Sequence, residues 1–119
     1  MADPLDSWAK ARDFALTLPG TARKGGRIES VVAESNGQFF VFEGRETGTS
    51  FAVQIDLGTI EMLKATEPET YWQSKHYEGW PAVLVRYDSP DPERVRWVIE
   101  QAHEQAAAMP PKRKRKRKT

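Results

Sequence analysis

A chain of 119 residues with 39% apolar content can bury one hydrophobic core as a single domain without cross-links. The absence of cysteine excludes disulfides, thiolate metal sites and thiol nucleophiles. No apolar run is long enough to span a bilayer, and acidic residues precede the first apolar stretch, so the expectation is a cytoplasmic protein with no secretory leader.

The net charge of +1 conceals an asymmetry. Lys112 to Lys118 are seven consecutive bases; without them eleven basic residues face seventeen acidic ones, and Met1 to Pro111 carries about −6.

In chain order, Asp3 is a candidate cap and Pro4 suits a first helical position, with Asp6 in the first turn. Trp8, Ala11, Ala15 and Leu18 then recur at helical spacing, with Phe14 beside the stripe, and Leu18-Pro19-Gly20 ends the helix. Thr21 to Arg27 reads as a basic, glycine-containing loop. Three strands follow, Ile28 to Glu34, Gln38 to Phe42 and Thr49 to Ile55. Asn36-Gly37 forms a two-residue hairpin turn between the first two, and Gly44 to Gly48 a turn between the second and third. Phe39 to Phe42 is apolar on both faces, while Phe51, Val53 and Ile55 share one face opposite Ala52 and Gln54.

Asp56 caps a short helix through Ile60, Leu63 and Lys64, and a second helical piece starts at Pro68 and includes Tyr71 and Trp72. Ser74 to Pro81 is a loop. A fourth strand, Pro81 to Tyr87, turns Val83, Val85 and Tyr87 inward and Leu84 and Arg86 outward. The last helix has the cleanest period, Val95, Val98, Ile99, Ala102, Ala106 and Met109, and Pro110-Pro111 stops it. Beyond, like charges repel and nothing can be buried, so residues 110–119 are expected to be a disordered basic tail after a domain of residues 1–109. The fold class expected is α+β, an antiparallel meander sheet with the N- and C-terminal helices packed on it in one shared core.

The order helix, three-strand meander, short helices, strand and long helix resembles the MmcQ/YjbR-like family. The stretch from Pro68 to Ala107, PETYWQSKHYEGWPAVLVRYDSPDPERVRWVIEQAHEQAA, carries most of that resemblance, and FALTLPGT, Phe14 to Thr21, is similar to the family's first-helix exit. The resemblance spans about Ala9 to Ala108 and excludes the basic tail. It implies an α+β domain whose hairpins have been likened to a double-winged DNA-binding arrangement, with no established enzyme activity, ligand or functional residues.

Three segments are candidates for contact. The tail, Lys112, Arg113, Lys114, Arg115, Lys116, Arg117 and Lys118, can neutralise phosphates without fixed structure, serve as a localisation signal, or remain a solvated end lying on the acidic body. Arg23, Lys24 and Arg27 flank Gly25-Gly26, where close backbone approach suits a phosphate, or form a solvated turn. Tyr71, Trp72, Lys75, His76, Tyr77 and Trp80 either pack the core beneath a loop or line a pocket for a base or small molecule. The two histidines lack zinc spacing, no serine sits in G-x-S-x-G, and Gly25-Gly26 lacks the Lys-Ser or Lys-Thr of a phosphate loop. The expectation is a non-enzymatic domain, without metal or cofactor, that binds DNA or another polyanion non-specifically and has no membrane partner. A protein- or small-molecule-binding module is the alternative.

Overall fold

Apolar residues alternating along the strands and recurring at helical spacing need a common place to be buried, and the chain provides it on one side of one sheet. The computed structural model describes residues 5–26, 28–43, 49–75 and 77–109. Among them the order is α1 (Trp8–Leu16), β1 (Thr21–Lys24), β2 (Ser30–Ala33), β3 (Phe39–Phe42), β4 (Ser50–Gln54), α2 (Leu57–Thr66), β5 (Tyr71–Trp72), β6 (Ala82–Arg86) and α3 (Pro92–Ala108). The six strands form one sheet in the order β1-β2-β3-β4-β6-β5, every neighbour antiparallel. The meander is therefore present, extended by one strand at its start. No helix among the described residues is long and apolar enough to cross a membrane.

All three helices lie on the same face. The core joins Ala11 and Ala15 of α1, Ile60 and Leu63 of α2, and Val95, Val98, Ile99, Ala102 and Ala106 of α3 to Val31, Val41, Phe51, Val53, Val83 and Val85 of the sheet. The cross-strand pairs Val31–Val41–Val53–Val83 put these side chains in one row, as the period of two requires. Tyr87 stacks on Phe51 at 5.6 Å, and burial, with Glu43 nearby, pushes its hydroxyl pKa up to about 12.

Several expectations are corrected. The first helix starts at Trp8, and its cap is Ser7, whose hydroxyl accepts from the Lys10 amide at 3.2 Å; a β-region cap with a short oxygen side chain suffices, so Asp3-Pro4, outside the described residues, does not start it. Thr21–Lys24 is an edge strand rather than a loop, because pairing with Ser30–Ala33 satisfies backbone groups whatever the side-chain pattern. The β2–β3 connection is five residues, 34–38, with the Ala33 amide donating to the Gln38 carbonyl at 2.9 Å. Only Gly37 takes a positive φ, 74°, while Asn36 uses its side chain elsewhere. Tyr71 and Trp72 are a strand, not a helix. The turn over Pro68–Thr70 hands Tyr71 to the core and Trp72 to the opposite face, a division two adjacent residues of a helix cannot make. Met109 stands 39% exposed, outside the core stripe, because α3 ends at Ala108. The turn expected at Gly44 to Gly48 lies outside the described residues.

Polar clamps fasten the helices to the sheet. Glu29, whose side chain is 19% exposed, accepts from Trp8 Nε1 at 2.6 Å and Arg12 Nη1 at 3.3 Å on one oxygen, and from Arg23 Nη1 at 2.8 Å on the other. Arg94 of α3 reaches Thr66 Oγ1 at 2.7 Å and Glu67 Oε1 at 3.3 Å, and its guanidinium lies over the Tyr71 ring. Asp56 caps α2 through the Thr59 amide at 2.9 Å and is held to α3 by Gln105 Nε2 at 2.6 Å. His103 is half-buried: its ring meets Phe40 edge-on and its Nε2 lies 3.0 Å from the Pro19 carbonyl.

The Trp8 indole first, then Arg12 and Arg23, hold the Glu29 carboxyl below its ordinary value of 4.5. A depressed carboxylate contributes stability above its unfolded pKa and loses it as pH falls through the folded value. Glu29→Gln should therefore be less stable than the parent at pH 7, with the difference closing below about pH 4.5. Glu29→Ala, which also strips Trp8 of its acceptor, should cost about 1–3 kcal/mol at neutral pH. Urea unfolding followed by tryptophan fluorescence measures both, and coincident midpoints for the three proteins would contradict the clamp.

Candidate functional site

With every helix on one side, the other face of the sheet has no helix on it among the described residues. The register lays Lys24, Ser30, Phe42, Ala52, Leu84 and Trp72 in one row across that face. The pairs Val32–Phe39, Gln54–Ala82 and Ser50–Arg86 lie on the same face.

Regular alternation would put Phe40 and Phe42 together. The register shifts between Val31, which faces Val41, and Val32, which faces Phe39, so that β3 carries one extra residue, Phe40. Phe40 and Val41 both point into the core, whereas Phe39 and Phe42 both point away and meet edge-on at 5.2 Å.

The loop from Gln73 to Pro81 borders this pair. Its organiser is Gln73, whose Nε2 donates to the carbonyls of Tyr77 at 3.1 Å, Trp80 at 3.0 Å and Ala82 at 2.9 Å. Lys64 Nζ donates to the Oε1 of the same side chain at 2.9 Å, which sets the amide's orientation. Gly79, at φ 84°, supplies the left-handed turn that brings Trp80 round. Tyr77 comes within 6.4 Å of Phe42, and Trp80 stands 65% exposed.

Phe39, Phe42, Gln54, Tyr77, Trp80, Pro81 and Ala82 line a depression of about 190 Å³. A second of about 260 Å³, between Ile28 and Ser30, shares Phe39 and Phe42 with it. A third of about 210 Å³ shares Gln54 and Pro81 and ends at Gln105, Ala106 and Met109. The three adjoin, forming a track from β2 across the open face to the end of α3. Asn36 fixes that end: its Nδ2 donates to the carbonyls of Ala106 at 2.8 Å and Met109 at 2.9 Å.

Charge is divided between the layers. Among the described strand residues facing the open side, Lys24 and Arg86 are charged and none is acidic; Arg86 lies over the Trp72 ring at 5.4 Å. Of the exposed carboxylates, Asp13, Glu61, Glu93, Glu100 and Glu104 ride on helices, in the opposite layer, while Asp6, Glu34, Asp56, Glu69, Glu78, Asp88 and Asp91 lie in caps and loops. Asp56, engaged by Thr59 and Gln105, lines the third depression, and Glu78 lies in the loop between Tyr77 and Trp80.

The candidate residues are thus redistributed. Arg23 and Lys24 are successive residues of a strand and face opposite sides, and Arg23 is engaged by Glu29, so the two do not make one phosphate grip. Tyr71 is core, with burial raising its hydroxyl pKa, whereas Trp72, Tyr77 and Trp80 belong to the open side. Arg27, His76 and Lys112 to Lys118 lie outside the described residues. Among the described residues no three His, Asp or Glu side chains are grouped as a metal site. Phe39, Phe42 and Gln73 were not foreseen as site residues. The four-residue apolar run of β3 was the available signal for the two rings, and Gln73 had none.

Gln73→Ala removes the shared donor of three carbonyls, so the loop should loosen while the core, on the other side of the sheet, is unaffected. Amide exchange at Trp80 and Ala82 should speed up by about tenfold or more, with global stability falling by no more than about 1 kcal/mol; unchanged exchange would show that Gln73 does not hold the loop. Comparison of the chain with protein-family models, curated proteins and solved structures gave no match.

Proposed function

We propose that this chain is a non-enzymatic nucleic-acid-binding domain of the MmcQ/YjbR-like type, in which the basic C-terminal run supplies most of the affinity and the open face of the sheet is the contacting surface. The observation that carries this reading is the segregation of charge. A body of about −6 would repel a polyanion if its acids were spread evenly, yet the described strand residues of the open face contribute Lys24 and Arg86 and no acid. Met109, at the end of the track, precedes Lys112 by three residues, a reach of about 10 Å at most. The run of bases therefore begins within about 10 Å of the end of the track. Binding of this kind is electrostatic and reads phosphates rather than base sequence.

A second reading has its own support. The depression bounded by Phe39, Phe42, Tyr77 and Trp80 is concave and apolar, with Gln54 as a polar group at its floor, the usual make-up of a small-ligand site.

If Lys112 to Lys118 neutralise about four phosphates of a duplex, log affinity should fall against log salt with a slope near −3.6, roughly a hundredfold between about 50 and 200 mM. Truncation after Pro111 should abolish most of this binding and leave the melting temperature nearly unchanged. The free peptide 112–118 should bind the duplex more tightly than the whole protein does, since the acidic body competes for the tail. Titration of intact protein, truncated protein and peptide at two salt concentrations measures all three, and equal affinity of intact and truncated protein would overturn the reading.

A further inference from the structure

A run of bases selects polyanions but does not distinguish a duplex from a single strand. The open face does carry features that distinguish them. Four rings, Phe39, Phe42, Tyr77 and Trp80, gather around one depression, with Phe39 to Phe42 at 5.2 Å and Phe42 to Tyr77 at 6.4 Å. Trp80, the most exposed large apolar residue described, is displayed by a backbone that Gln73 and the Tyr77 carbonyl hold in place. A two-thirds exposed indole beside three other rings is apolar surface that a partner with flat apolar faces would cover. Lys24 lies in the same row as Phe42, two strands away, at about 10 Å, and Arg86 lies beyond Ala52 and Leu84 on the same face. Cations flank the rings without sitting among them.

Rings flanked by cations, on a track leading to a tethered run of bases, fit a repeating anion that also offers unpaired aromatic faces. We infer that the occupant of the track is a single-stranded nucleic acid, its bases stacked on Trp80 and the Phe39–Phe42 pair and its phosphates toward Lys24 and Arg86. A duplex keeps its base faces stacked on one another and has none to offer, so it engages the charges alone. This inference rests on the polyanion-binding reading and adds the class of nucleic acid to it.

The test uses the full chain and three probes of equal length, about fifteen nucleotides: oligothymidine, the same phosphodiester backbone with abasic sites, and a duplex. Oligothymidine should bind roughly ten- to a hundredfold more tightly than either of the others and should quench tryptophan fluorescence, while the abasic strand should not quench it. Trp80→Ala should erase most of that preference and the quench, and Trp80→Phe should retain most of the preference. Phe39→Leu, which keeps apolar volume and removes the ring, should weaken oligothymidine and leave the abasic strand unchanged. Far-UV circular dichroism confirms that each variant is folded. Equal affinity for all three probes, unmoved by Trp80→Ala, overturns the stacking inference while leaving the tail's role intact. Failure to bind any probe at low salt overturns both readings together. Equal affinity for the three, with Trp80-dependent binding of an apolar dye, overturns stacking and assigns the depression to a small apolar ligand.

Discussion

One extra residue in β3 governs which aromatic rings stabilise this protein and which face outward. A regular strand would send Phe40 and Phe42 to one side and Phe39 and Val41 to the other. The bulge opposite Val31 and Val32 instead turns Phe40 and Val41 inward as a pair. Phe40 then meets His103 and helps seat α3, while Phe39 and Phe42 become neighbours on the face that carries no helix among the described residues. The central strand thereby supplies both the core beneath α3 and the centre of the outer depression. An extra residue strengthens local twist as well, which suits a sheet packed against helices on one side only.

The two layers carry different loads. On the helix side, burial is complete enough that Val31, Phe40, Val41, Phe51, Val53, Val83 and Val85 are all inaccessible, and three polar side chains there fasten helices. Glu29 joins α1 to the β1–β2 corner, Arg94 joins α3 to the end of α2, and Gln105 joins α3 to its beginning. On the open side the polar groups instead organise a loop, through Gln73, and its aromatic residues remain half-buried or exposed. Substitutions on the two sides therefore act separately, those on the helix side through stability and those on the open side through surface chemistry.

Much of the fold was legible because its signals are local. The helical period from Val95 to Ala106, the alternation of Phe51, Val53 and Ile55, and the oxygen of Asp56 ahead of α2 each specify an element without reference to the rest of the chain. What was not legible depends on partners distant in sequence. Thr21–Lys24 has no apolar alternation and is a strand only because β2 lies beside it. Tyr71-Trp72 follows a proline, as a helix start does, and is drawn into the sheet by β6. The bulge leaves no mark in composition, and the layer to which the acids of the three helices belong appears only once the faces are known. The site suffered most for this reason: the cluster Arg23-Lys24 looked continuous in one dimension and is divided by the sheet, whereas Phe39 and Trp80, 41 residues apart, are brought together by it.

The hold of Asn36 on the end of α3 has a bearing on how this protein ages. The last turn of α3 contains no basic residue; the Met109 amide donates to the Ala106 carbonyl, and the Asn36 carboxamide adds its own donation to the Ala106 and Met109 carbonyls. Asn36 is followed by Gly37, the neighbour that hinders least the attack of a backbone nitrogen on a side-chain amide, with loss of ammonia and conversion to aspartate or isoaspartate. The Gly37 nitrogen is engaged with the Ala33 carbonyl at 2.8 Å, which keeps it from that attack while the hairpin stays closed. Once the hairpin opens long enough for the reaction, the donor becomes an anion set against the Ala106 and Met109 carbonyls, and the β2–β3 loop and the helix end repel where they had been joined. Hairpin closure thus protects the amide, and the amide in turn joins the hairpin to the helix, so one chemical event undoes both.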